Sequence, residues 1–453
     1  MSTALPQPVA RAATGTLEQV TLARVTRRLV PFLFLLFLVS LLDRLNVGFA
    51  ALQMNQALGF SPAIYGFGAG IFFLGYVIFE VPSNLILART GARVWIARIM
   101  ITWGLLAAAM MFVRGPFSFY TIRFLLGLAE AGFAPGLVYY LSQWFPTGQR
   151  ARALGQVGMA IPLSGVVGGP LSGALLGLKG QLGLAGWQWL FFLEGLPAVV
   201  LGFVVLRYLT NRPEEASWLA PEERAWLTAR LNQEREECRK HHHLTVLQAL
   251  SDGTVWQLGL LHFLCFTFGT YVLGLWLPQM IRAFSGLTDF KIGLVSALPN
   301  LVAAVSMAVV AAHSDRTGER LLYIAVSALT ATCAFVASAY LRSPALIVLA
   351  LSIAMVGQRS ATGPFWALPS SFLTGSAAAG GIALINSVSN LSGLVGPSVI
   401  GLLKTASGSF HSGLLLLALV TLAGGVLALR LRRAVLLAPL RKVGIDAIGS
   451  AGP

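Results

Sequence analysis

Along the chain, long apolar runs alternate with short polar segments, and the runs have membrane dimensions. About twelve of them cover roughly residues 29 to 50, 64 to 87, 95 to 113, 118 to 141, 153 to 178, 187 to 209, 255 to 281, 291 to 312, 321 to 341, 344 to 367, 379 to 404 and 412 to 430. A helix rising about 1.5 Å per residue needs about 20 mostly apolar residues to cross a hydrocarbon core ~30 Å thick. Each run therefore predicts one spanning helix. The first has no small-residue cleavage site behind a short apolar core, so it reads as a retained span and not as a secretory signal.

The longest polar stretch, roughly 210 to 254, separates six runs from six. Sliding the second half back by 227 positions lays Phe60–Gly66 on Leu287–Gly293, Arg89–Arg93 on Arg316–Arg320, and Gly169-Pro170 on Gly396-Pro397. One offset that sets loops on loops and helices on helices predicts two six-helix halves related as a parallel repeat, with a ligand site between them near the midplane. The expected fold class is all-α integral membrane. The expected organisation is a tail at 1–27, a first half at 28–210, a linker at 211–254, a second half at 255–430 and a tail at 431–453.

Composition agrees with this class. Hydrophobic residues make up 56% of the 453-residue chain and charged residues 11%, against roughly 45–50% and ~25% in soluble globular proteins. A water-soluble enzyme is argued against, and seven of the 17 acidic residues crowd between Glu214 and Glu237. The net charge of +15 comes from short basic groups between apolar runs, not from the continuous stripe that a nucleic-acid partner needs. With the N-terminus inside, 23 Lys and Arg fall on one side and six on the other, with Arg44, Arg123 and Arg359 within helices. This bias predicts cytoplasmic termini. Cys238, Cys265 and Cys333 have neither disulfide nor metal-ligand spacing. The charges of the linker read as a solvated helix starting near Pro221, and His241 to His243 as solvated histidines.

Several strings carry a family resemblance. Asp315-Arg316-Thr317-Gly318-Glu319-Arg320 resembles the major facilitator loop signature, and Arg89-Thr90-Gly91-Ala92-Arg93 is its earlier copy, with Ala88 where an acid is usual. Leu42-Asp43-Arg44-Leu45-Asn46-Val47-Gly48, Phe79-Glu80-Val81-Pro82-Ser83-Asn84, Arg123 through Gly132, Trp144-Phe145-Pro146 and Gly363 through Pro369 resemble the anion:cation symporter family, nearest to bacterial tartrate, phthalate and sugar-acid permeases. The resemblance covers residues from about 28 to 430. It implies proton-coupled uptake of an organic anion, with protons as the coupling ion and no cofactor.

Charges inside a span cost roughly 2.5–3.5 kcal/mol each and so face a cavity or a partner. Asp43 and Arg44 point about 100° apart on one helix and must look to neighbouring helices. Arg123, Gly127 and Glu130 stack at i, i+4 and i+7, with Gly127 leaving a gap between the charges. Arg44 and Arg123 suit a substrate carboxylate, because the guanidinium fork is bidentate. Asp43 and Glu130 suit the coupled protons, and the resemblance assigns those positions the same roles. The alternative is a static salt-bridge lattice. Arg359, which is not part of the family pattern, either contributes a second cation favouring a dicarboxylate or snorkels to the interface.

Glu80 is expected to pair with an arginine at an inner gate formed by Arg89, Arg93, Asp315, Arg316 and Arg320. Tyr76 resembles a site-lining tyrosine of the family. Trp276, Asn386 and Asn390 are the second half's candidates for substrate hydroxyls, with packing or interhelical glue as the alternative. His262 reads as a packing histidine. Gly165, Gly169 and Gly173 predict close helix packing, and their spacing also resembles a motif of drug:proton exporters, which sustains an exporter as the second reading. The expected protein is a monomeric importer in the bacterial inner membrane, and its expected partners are lipid and a small organic anion, with no nucleic acid. No nucleophile-base set or phosphate-cradling loop supports an enzyme.

Overall fold

The computed structural model describes residues 8–240, 251–369 and 375–449, with side chains placed for 17–234, 236, 251–369 and 380–433. Among the described residues there is no strand. Twelve helices among those residues are long and apolar enough to cross a membrane. They are α1 (Leu17–Leu58), α2 (Pro62–Thr90), α3 (Ala92–Phe112), α4 (Pro116–Ser142), α5 (Thr147–Leu176), α6 (Gly186–Tyr208), α7 (Gly253–Phe284), α8 (Asp289–Thr317), α9 (Arg320–Tyr340), α10 (Pro344–Trp366), α11 (Gly380–Ser407) and α12 (His411–Arg433). Each falls on one of the apolar runs. His241 to His243 lie outside the described residues, as do Met1–Gln7 and Ser450–Pro453 of the two expected tails.

The first helix departs from the expected boundaries. It runs unbroken from Pro8, so the end of the segment read as a tail continues α1 by several turns. Thr21, Leu22, Val25 and Leu29 are buried there, which is why the chain keeps its helix beyond the hydrocarbon core. The linker helix Pro221–Lys240 packs on the first six spans through Leu227 and Leu231. Glu223 holds Arg24 at 2.5 Å, and Glu234 accepts from Thr147 at 2.9 Å. The expected solvated helix thus has one anchored face.

The first six spans pack on one another, chiefly α3 on α6, α2 on α4, and α1 on α5 and α6; the last six do so through α9 on α12 and α10, α8 on α10, and α7 on α11. Among the described residues the two groups meet chiefly along three pairs, α2 with α11, α5 with α8 and α1 with α7. Lipid tails are as apolar as leucine, so helices gain nothing from burying apolar side chains and instead draw together through close backbone contact at small residues. A Cβ on Gly169 would stand 2.3 Å from the Gly293 carbonyl, and one on Gly293 would stand 2.2 Å from that of Gly169. Gly66 and Gly401 repeat this across α2 and α11, each 2.4 Å from a carbonyl of the facing helix. The glycine stripe of α5 is therefore a packing surface, as its spacing predicts.

These contacts lie at one end, where the Lys/Arg-poor connections are. Four hydrogen bonds joining the groups among the described residues are found there too: Gln53 to Asp289 at 2.7 Å, Asn55 to Gln279 at 3.2 Å, the Tyr65 hydroxyl to the Leu275 carbonyl at 2.7 Å, and the Ala63 amide to Thr405 at 3.0 Å. Asp289 also pairs with Arg282. At the arginine-rich end the gate residues bond within their own group. Arg93 donates to the Leu206 carbonyl at 2.6 Å and Arg320 to the Ala367 carbonyl at 2.6 Å, while Arg89, Asp315 and Arg316 are exposed. Among the described residues, the backbone contacts and hydrogen bonds that close the groups on each other gather at the first end, and the gate residues make none across at the second.

Substituting leucine for Gly169 should spread the closed end, since overpacking a backbone contact costs about 1–3 kcal/mol. With the native cysteines replaced, a cysteine at Gln279 should react about tenfold faster with an impermeant thiol reagent in Gly169→Leu than in its parent. Equal labelling rates would show that the contact does not hold this end shut.

Candidate functional site

Arg44, Arg123 and Glu130 gather where α1, α2 and α4 meet. Helix α4 is interrupted directly after Glu130: Gly132 adopts φ 84°, and the Ala131 carbonyl is taken by Ser83 at 2.6 Å. A Cβ at Gly132 would lie 2.3 Å from the Ser83 hydroxyl, so glycine suits both the left-handed backbone and the close approach. The break leaves Glu130 at the end of a straight segment facing α1. There it forms an ion pair with Arg44 and accepts from Ser40 at 3.3 Å. Glu130 is fully buried and Arg44 largely so. The guanidinium also lies 5.2 Å from the Tyr76 ring and 5.6 Å from that of Phe72, both within cation–π range. The Arg44 Nε has no hydrogen-bond partner among the described residues.

The expected gap at Gly127 is filled. A Cβ there would lie 2.0 Å from the Phe72 carbonyl, and Gly75 answers with 2.4 Å to that of Phe124. The missing side chains bring α2 and α4 into backbone contact and leave no room for a ligand. Arg123 is consequently drawn to α2. Its side chain is buried, Nη2 donates to the Ala69 carbonyl at 3.0 Å and Nε approaches that of Gly68 at 3.4 Å, and Phe72 lies beneath it at 4.8 Å. In this conformation Arg123 braces α2 against α4, and Arg44 is the arginine beside the space between the two helix groups.

Across from Arg44, Tyr271 of α7 has Arg44, Glu80 and Glu130 as electrostatic neighbours. It donates to Asn390 of α11 at 2.8 Å and packs on Phe73 of α2 at 4.3 Å between ring centroids. Asn386, one turn from Asn390, is half-buried. Trp276 stands elsewhere. It is fully buried, donates to the Pro397 carbonyl at 3.3 Å and meets Tyr65 edge-on at 4.8 Å. It belongs to the closed end, because the indole sits under the α2–α11 contact. Glu80 is half-buried and makes no ion pair among the described residues, so the expected pairing with a gate arginine is not formed here. His262 is buried, bonded to Ser389 at 2.7 Å and packed at a tilt against Phe365 at 4.5 Å between ring centroids, as expected of a packing histidine.

Arg359 of α10 lines a small cavity with Leu42 and Leu45 of α1, Ser164 and Ser172 of α5, and Asn300 of α8. It makes no ion pair among the described residues, and its Nε is buried without a partner. The snorkelling alternative gives way to an inward-facing cation. Sequence reasoning missed Tyr271 and a buried acid, Glu194 of α6, which accepts from Ser172 at 2.8 Å. Glu194 satisfies the criterion that singled out Asp43, a carboxyl within an apolar run. Tyr271 carried no signal, since a lone tyrosine in a span packs as often as it binds.

Comparison with known proteins bears on the whole chain. The Major Facilitator Superfamily profile matches residues 33–397. A protein of Agrobacterium vitis named "Putative tartrate transporter" is 49% identical over 420 residues, covering 93% of each chain. The "Quinolone resistance transporter" of Acinetobacter baumannii is 43% identical over 410 residues, covering 90% of this chain and 94% of its own. The partially occluded inward-open structure of the xylose transporter XylE from E. coli superposes with a TM-score of 0.73 at 12% identity, covering 90% of this chain and 98% of that one, which speaks to the fold alone.

Removing one member of a buried ion pair strands the other, at a cost of up to about 3–5 kcal/mol. Arg44→Gln should therefore lower the unfolding midpoint of the detergent-purified protein more than the double variant Arg44→Gln/Glu130→Gln does. A double variant less stable than either single one would mean that the two groups are not coupled.

Proposed function

The chain belongs to the Major Facilitator Superfamily, a family of membrane transporters and not of enzymes, and from that premise we propose that it imports a small organic anion together with protons by alternating access. The observation that carries this reading is the Arg44–Glu130 pair, buried at mid-membrane and facing Tyr271 and Asn390 of the opposite helix group. The 49%-identical relative named for tartrate supports a carboxylate as the anion.

With the arginine-rich end in the cytoplasm, as the Lys/Arg bias favours, the conformation described is open to the inside. The moving bodies are residues 28–210 and 255–430, rocking about the site. A substrate carboxylate competes with Glu130 for the Arg44 guanidinium, whose fork can take it bidentately. Glu130, on losing its cation, becomes an uncompensated buried charge that a proton removes. Proton and anion then travel together, and the empty carrier returns with the ion pair restored. Tyr76, Asn386 and Asn390 offer hydrogen bonds to substrate hydroxyls. Arg123 holds α2 and α4 in the arrangement that presents Glu130.

Arg359 extends this reading to a substrate with two acidic groups. It is the cation that the second helix group turns inward, and no carboxylate among the described residues answers it. One carboxylate on Arg44 and another on Arg359 would connect the two halves.

A second reading, export of a drug-like molecule, is favoured by the 43%-identical relative named for quinolone resistance. Quinolones carry a carboxylate, so both readings place an acid on Arg44 and differ in direction.

Purified protein in liposomes should accumulate at least one of tartrate, galactonate, glucarate and phthalate when an inward proton gradient is imposed. Glu130→Gln should reduce gradient-driven accumulation about tenfold or more while reducing counterflow, which needs no net proton movement, by less. No uptake of any acid, combined with proton-driven extrusion of a fluoroquinolone, would replace the importer with the exporter. Arg359→Gln should erase a preference for dicarboxylates over monocarboxylates by a factor of about ten; an unchanged preference would remove Arg359 from the site.

A further inference from the structure

Asp43 of α1 and Glu194 of α6 are buried together inside the first helix group, 2% and 5% exposed. Neutral donors surround them. Asn46 donates to Asp43 Oδ1 at 3.4 Å and also reaches toward Glu194, while the Ser172 hydroxyl of α5 donates to Glu194 Oε1 at 2.8 Å. The indole N–H of Trp103 on α3 is fully buried beside Asp43 and has no well-formed acceptor of its own. The charged neighbour on α4 is Glu130, already committed to Arg44. No cation bonds to either carboxyl among the described residues. One oxygen of each, Asp43 Oδ2 and Glu194 Oε2, is buried without a hydrogen-bond partner.

Two desolvated carboxylates that feel each other's charge across Asn46 and have only neutral donors among the described residues repel each other and lack compensation, so the stable composition has fewer than two charges. A proton on the pair supplies an O–H that can donate, where two ionised groups could only accept. A route to the pair is present as well: Ser172, bonded to Glu194, also lines the small cavity that Arg359 shares between the helix groups. The hydroxyl stands between that cavity and the carboxyl.

We propose that Asp43 and Glu194 form one two-carboxyl proton site, holding a single proton between them and exchanging it through Ser172 during the transport cycle. Its coupling to transport rests on the importer reading above; the shared proton itself does not. In this arrangement Asp43 works with Glu194 of α6, and Glu130 works with Arg44, so Asp43 and Glu130 serve separate proton sites.

Infrared spectra of the purified full chain at neutral pH test the proton directly. The Asp43→Asn/Glu194→Gln double variant should lack a protonated-carboxyl C=O stretch that the unsubstituted protein has, and Ser172→Ala, which keeps both acids, should shift that band. Identical carboxyl bands in all three proteins would overturn the shared proton. In liposomes, the number of protons moved per acid, measured from the gradient at which flux reverses, should fall by about one in Glu194→Gln. An unchanged ratio would overturn the coupling. If the unsubstituted protein takes up no acid at all, the importer reading fails, and the infrared comparison still decides whether the pair holds a proton.

Discussion

A charge in the middle of a bilayer has no water to turn to, and how each one is compensated shapes this protein. The Arg44–Glu130 pair is the central instance. Its geometry requires α4 to break immediately after Glu130, which requires Gly132 and the Ser83 contact. It also requires α2 and α4 to touch through backbone at Gly75 and Gly127, so that Tyr76 and Phe72 stand beside the guanidinium. Arg123 reaches the same end by different means, satisfying its guanidinium on main-chain carbonyls of α2. Those carbonyls already accept helix bonds, and their second lone pairs are available to an arginine.

On the alternating-access reading proposed above, the second constraint is that two large bodies must hold together at one end without locking there. Interdigitated side chains would have to be pulled apart at each transition, whereas glycine surfaces in backbone contact separate with little rearrangement. The closed end is built in this way along α2–α11 and α5–α8, and its polar bonds are few and mostly neutral. Asp289 is the charged member, tying Gln53 of α1 to the start of α8 while Arg282 balances it from the same helix group. An ion pair within one body would survive opening, so of the two bonds of Asp289 only that to Gln53 would be given up.

What the sequence disclosed follows from which physics is local. Span number and the glycine packing stripe depend on run length and spacing, and both could be read directly. Helix α1 outran its expected start because the residues before Leu29 are held by the linker helix, a contact that hydropathy does not encode. Gly127 was read as a gap because an isolated helix face shows an absence where the folded protein has a neighbour. Trp276 and Arg123 were picked by residue type, and only the three-dimensional packing separates a side chain that faces the space between the halves from one that braces it. Glu194 was readable in principle: it needed only the rule already used for Asp43, applied to every run and not just to the strings that resembled a family.

The three intramembrane arginines stand in three electrostatic conditions, and the difference bears on selectivity. Arg123 is satisfied by backbone and Arg44 by the Glu130 carboxylate, while Arg359 has no anionic partner among the described residues. An unanswered charge at this depth costs roughly 2.5–3.5 kcal/mol on the mildest scale, a cost that an acidic group arriving with the substrate would offset. A ligand can shift a conformational equilibrium only by as much as it binds one state better than another. On the function proposed above, a monoanion seated on Arg44 would satisfy one body and leave the other as it was. A dianion reaching Arg359 would gain its second contact only when the two bodies approach, so the binding energy of that second group would be available to drive occlusion.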